Sequence, residues 1–140
     1  MLTTDNDLGL IVSKLARKLH EAPGERLQKE ELTPSQAMIL RYLQSQNQPV
    51  SQKQIEQWSE KSHPTVNGLL SRLQAKGFID IVIDPLDRRQ RLITPTQKAV
   101  RLDDDLQDIF HSHDKTMTGQ LSEEELLQLK QLLIRVYESL

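Results

Sequence analysis

The chain contains no cysteine, which excludes disulfides, thiol redox chemistry and cysteine-ligated metals. Aromatic residues make up 4% of its 140 positions and glycines number five, so its core must be aliphatic and mostly helical. No apolar run approaches the roughly 20 residues that span a bilayer, and no membrane partner is expected. The opening MLTTDNDLGL lacks the cationic start and apolar run of a secretory signal, so a cytoplasmic location is expected. No segment pairs a nucleophile with a histidine base, so the chain reads as a non-enzyme without catalytic residues or cofactors. Its length suits a single domain, 1–140, large enough to bury a core.

A large net charge is missing too: the balance is −2, which by itself argues against non-specific adhesion to nucleic acid. The distribution argues differently. From Lys61 to Arg101 there are eight cations against three acids. A basic centre in an acidic frame suits one surface for a polyanion, with repulsion elsewhere.

Within that centre, Ser62 to Thr96 is the most informative stretch. Val66, Leu69, Leu70 and Leu73 recur at helical spacing, so one face of a helix is apolar. The other face carries Thr65, Asn67, Gly68, Ser71 and Arg72. Gly77 stands where a left-handed residue ends the helix. Ile79, Ile81 and Ile83 then alternate with Asp80, Val82 and Asp84, which is strand periodicity. A turn at Pro85-Leu86-Asp87-Arg88 leads into a return strand from Arg89 to Ile93. A helix sized for a DNA groove beside an arginine-tipped hairpin points to nucleic-acid recognition.

Helix starts are announced by capping-box patterns at Thr33-Pro34-Ser35-Gln36, Ser51-Gln52-Lys53-Gln54, Thr94-Pro95-Thr96-Gln97 and Ser122-Glu123-Glu124-Glu125. Helices are therefore expected at about 7–22, 34–47, 52–60, 63–76, 95–118 and 123–139, with Ala22-Pro23-Gly24 ending the first. The outer helices carry apolar stripes: Leu8, Ile11, Val12, Leu15 and Leu19; Ala99, Leu102, Leu106, Ile109, Phe110 and Met117; Leu126, Leu129, Leu133, Val136 and Leu140. The last keeps the alternating three–four spacing of a helix-packing seam. Such stripes need a partner, and a second copy of the chain is the economical one. Leu8, Ile11, Leu15, Leu126, Leu129, Leu133 and Val136 are the expected dimerisation residues.

Two acidic and histidine clusters do not make metal sites. His111 and His113 stand two apart on a helix and point away from each other, and Asp103-Asp104-Asp105 lacks the glycine and distal glutamate of a calcium loop. No metal ligand is assigned.

Two motifs, TVNGLLSRLQAKGFI from Thr65 to Ile79 and DPLDRR from Asp84 to Arg89, together with the helix before them, resemble the winged helix-turn-helix of MarR-type bacterial transcription regulators. The flanking helices also match that family, so the resemblance covers nearly the whole chain. Ser59, Lys61, Pro95 and Ala99 depart from its pattern, and Trp58 is expected to bury its ring where the third helix meets the turn. The resemblance implies a mainly α fold of five to six helices with a small two- or three-stranded antiparallel wing. It places a DNA-binding lobe at 33–97 and dimerisation helices at 1–32 and 98–140. It further implies a homodimeric repressor of a pseudo-palindromic double-stranded DNA operator, relieved by a small-molecule effector held between dimerisation helices and lobe. Two other readings stand beside it: a winged-helix module for protein assembly without DNA, and a metal-responsive version of the same regulator.

The start of a recognition helix lies nearest the base edges of the major groove. That nominates His63, Pro64, Thr65, Asn67 and Gly68. Asn67 can bond adenine through both amide groups, Pro64 and the Thr65 methyl can touch a thymine methyl, and His63 can donate to phosphate or guanine N7. Gly68 implies either close DNA approach or tight packing on the preceding helix. Ser62 is the N-cap and leaves amides for a phosphate. Arg72 is assigned to phosphate, with Ser51, Gln52 and Lys53 as secondary phosphate candidates. By resemblance Arg89 enters the minor groove, Arg88 and Arg91 bind phosphate or Asp87, and Asp87 holds the wing.

Overall fold

Hydroxyl side chains set where the helices begin. Thr33, Ser51, Ser62 and Ser122 are N-caps in extended backbone, and three of them close reciprocal capping boxes with Gln36, Gln54 and Glu125. Each such cap is worth about 1 kcal/mol. The computed structural model describes residues 1–21 and 24–140, so Ala22 and Pro23 of the expected helix end lie outside the described residues. In order the elements are α1 (Leu8–Glu21), α2 (Gly24–Lys29), α3 (Pro34–Gln46), β1 (Val50–Ser51), α4 (Gln52–Ser59), α5 (His63–Ala75), β2 (Ile79–Ile83), β3 (Arg91–Pro95), α6 (Gln97–Thr118) and α7 (Glu123–Ser139). The fold is mainly α with one small sheet, as expected. Two compact units divide it, 1–109 and 110–140.

The first unit contains the sheet, antiparallel throughout and ordered β1-β3-β2. Ile93 of the central strand faces Val50 on one side and Ile81 on the other. The core joins Leu27, Leu32, Leu40, Leu43, Val50 and Ile55 to the stripe of α5, to Phe78, Ile79 and Ile93, and to Leu102 and Leu106 of α6. At about 1.5–3 kcal/mol for each fully buried aliphatic side chain, Val66, Leu69, Leu70 and Leu73 seat α5 firmly. Its end is a Schellman motif: Phe78 N–H donates to Leu73 O and Gly77 N–H to Gln74 O, both at 3.0 Å, with Gly77 at φ 79°.

Several expectations need correction. Gly24–Lys29 forms a short helix, α2, that is not among the expected helices. Thr94-Pro95-Thr96-Gln97 builds no capping box: Pro95 ends β3 opposite Ile79, α6 starts at Gln97, and the Thr96 hydroxyl donates to Gly77 O at 2.6 Å. The return strand begins at Arg91, two residues later than expected, because Asp84 to Gln90 close the wing loop. Trp58 does not bury its ring; it is 41% exposed and stacks on Tyr42 at 4.3 Å between centroids and 11° between planes. Leu27 and Leu32, and Ala99, Leu102, Leu106 and Ile109, fall within the stretches or stripes expected to dimerise, yet all six are buried in the first unit. They have found partners within the chain. Helices α1 and α7 differ, for neither contains a buried residue.

Candidate nucleic-acid interface

Helix α4 closes on Glu60, a left-handed C-cap, and one turn later Ser62 starts α5. The Thr65 amide donates to Ser62 Oγ at 3.3 Å and the Ser62 hydroxyl to Thr65 Oγ1 at 2.9 Å. This holds His63, Pro64 and Thr65 together on an exposed first turn, while Val66 directly behind them is buried. Asn67 and Gly68 are half-buried, and Ser71 and Arg72 are exposed. The sequence-assigned row thus shares one outward face of α5.

Neighbours engage several of these side chains in ways the sequence does not announce. His63 Nδ1 lies 2.5 Å from Glu56 Oε1 and 3.2 Å from Gln52 Nε2. Gln52, a candidate for phosphate contact, is only 6% exposed, so it supports His63 from beneath; Lys53 beside it is exposed. Arg91, expected on phosphate or Asp87, instead donates from Nη1 to Asn67 Oδ1 at 3.0 Å, tying the wing to α5. Asn67 Oδ1 thus gives one of its two lone pairs to Arg91, and its second lone pair and amide N–H groups remain for a base edge. A Cβ on Gly68 would meet only the guanidinium of Arg72, at 3.5 Å. That is ordinary van der Waals contact, so neither packing on α4 nor room for Arg72 is the reason for this glycine; it leaves the outer face open to close approach.

Two carboxylates shape the wing loop. Asp84 Oδ1 accepts from the Leu86 amide at 2.8 Å, and Asp87 Oδ1 accepts from the Arg89 amide at 3.1 Å and Arg89 Nε at 3.2 Å. Backbone bonds from Asp84 N to Gln90 O and from Gln90 N to Asp87 O close the loop. Arg88 and Arg89 stand exposed at its end, and the Arg89–Asp87 pair, with the Arg89 side chain 91% exposed, is weak enough to exchange for another anion.

Similarity to known proteins joins this geometry to a family. The MarR family model matches residues 31–90, the segment from the end of α2 through the wing loop. Residues 31–90 are a MarR-family winged helix. Solved MarR-type structures match along nearly the full chain. S. aureus MepR in its DNA complex is 27% identical, with a TM-score of 0.92 over 97% of this chain and 100% of that one. A transcription regulator MarR from Oenococcus oeni PSU-1 is 27% identical, with a TM-score of 0.78 over 94% and 99%. The transcriptional regulator SlyA, at 22% identity and a TM-score of 0.88 over 96% and 94%, supports the fold. No curated protein matches the chain. The MarR-type fold here is that of transcription regulators rather than of an enzyme family. Among the described residues no group of three or more His, Asp or Glu could hold a metal ion, and no helix is long and apolar enough to cross a membrane.

Proposed function

We propose that this protein is a homodimeric, sequence-specific binder of double-stranded DNA that represses transcription and releases its operator on binding a small molecule. The observation that carries the reading is the exposed first turn of α5, tied through Asn67 and Arg91 to a wing that exposes Arg88 and Arg89. The likeness to MepR in a DNA complex supports it. The first turn of α5 would enter the major groove, Arg89 the adjacent minor groove, and Lys53, Arg72 and Arg88 would bind phosphates. Dimerisation through Leu8, Ile11, Leu15, Leu126, Leu129, Leu133 and Val136 is supported by their exposure, wholly or in part, on helices that bury nothing. Two copies would then address half-sites about one helical turn apart.

Selection from random duplexes at two salt concentrations tests this. A palindromic motif bound far above background, with affinity falling steeply as salt rises, is expected. Arg89→Ala should weaken binding at every sequence and lower the salt slope by about one, with any narrow-groove preference lost. Selection of no motif would move the protein-assembly reading ahead.

A further inference from the structure

Histidine 63 is held from one side only. Its side chain is 71% exposed while that of Glu56 is 20% exposed, and the contact between them, at 2.5 Å, uses Nδ1. An ionised carboxylate can only accept a hydrogen bond, so the ring proton lies on Nδ1. Gln52 lies against the same nitrogen at 3.2 Å, and its Oε1 is buried without a hydrogen-bond partner. The neutral ring then has one nitrogen left, Nε2, and it carries a lone pair.

We infer that Glu56 is a positioning residue for base readout: it fixes the proton of His63 on Nδ1, so that Nε2 accepts a hydrogen bond from an exocyclic amine in the major groove. Adenine N6 and cytosine N4 are the amines available there. The inference rests on the reading that α5 enters the major groove, and it reverses the donor role that the sequence suggests for His63. A neutral His63 fixed this way cannot donate to guanine N7 or to phosphate. A base lacking the amine leaves the lone pair unpaired, which discriminates between about five- and one-hundred-and-fifty-fold per position.

The experiment is motif selection at pH 8 with wild type, His63→Ala, Glu56→Ala and Glu56→Gln. Expected is one position per half-site with a sharp base preference that His63→Ala and Glu56→Ala both lose. Glu56→Gln, whose amide oxygen still accepts from Nδ1, should keep it. The remaining positions and the salt slope should stay unchanged. The inference is overturned if Glu56→Ala leaves that position sharp or weakens all positions alike. Failure of wild type to select any motif would instead sink the DNA-binding reading itself. Imidazole nitrogen NMR of the wild-type protein decides the proton's place independently: a bare Nε2 at pH 8 is expected, and a protonated Nε2 overturns the inference.

Discussion

Helices α5 and α7 are built from similar parts and end in opposite states. Both start on a serine N-cap and both carry a leucine-rich stripe, over 13 and 17 residues respectively. In α5 the four stripe residues are buried; in α7 none is, and Leu129, Leu133 and Val136 are 40%, 42% and 40% exposed. Binary patterning therefore tells that a helix face must be covered but not by what. For α5 the cover lies within the chain, in the helices and sheet around it. For α7 we propose a second copy.

The comparison is broken or sharpened by substitution on each helix. The largest expected effect is Leu70→Ala: the side chain is fully buried, so about 2–5 kcal/mol of stability should be lost in denaturant unfolding. Next is Leu133→Asp. It should leave unfolding of the first unit near wild type but weaken self-association by about 3 kcal/mol or more, over a hundred-fold in Kd. Sedimentation velocity reads this directly, and an unchanged profile would deny α7 its proposed partner. Smaller is Gly77→Ala at the end of α5. The new Cβ meets only Lys98 Cδ at 4.0 Å, so the cost is the left-handed backbone alone, about 1–2 kcal/mol.

Smallest is a pH effect at the start of α7. The Ser122 amide, and secondarily its hydroxyl, hold the Glu125 carboxyl below its ordinary pKa. A depressed folded value contributes stability above the unfolded pKa and loses it as pH falls through the folded one. Acidification should therefore fray the first turn of α7 slightly, and Glu125→Gln should remove that dependence, as followed by amide exchange at Ser122 and Glu125.

Most of the architecture was legible before the structure, and the gaps have physical causes. Three of the four capping-box patterns form, each at the start of a helix that carries an apolar stripe. Thr94 offers the same pattern as Thr33 and fails, since pairing of Pro95 with Ile79 extends the strand past it. Helix α2 has six residues with one buried anchor, Leu27, and β1 has two residues; neither is long enough to show a period. Of the candidate surface, the outward row of α5 follows from its periodicity. Its ties do not. Asn67 and Arg91 are 24 residues apart in sequence, and no local pattern pairs them. Glu56 was missed altogether, although Gln52 and Glu56 stand one helical turn apart on α4 and so share a face that can reach the next helix.

The stacked pair on α3 and α4 has an optical consequence. Trp58 is the single tryptophan of the chain, and its indole lies flat on Tyr42 at a half-exposed site in the first unit. Tryptophan emission will therefore follow the loosening of α3 from α4 and stay silent to events confined to α7. Far-ultraviolet dichroism, in contrast, sums over every helix. Recorded together during unfolding, the two signals coincide if both units melt as one and separate if α7 lets go first.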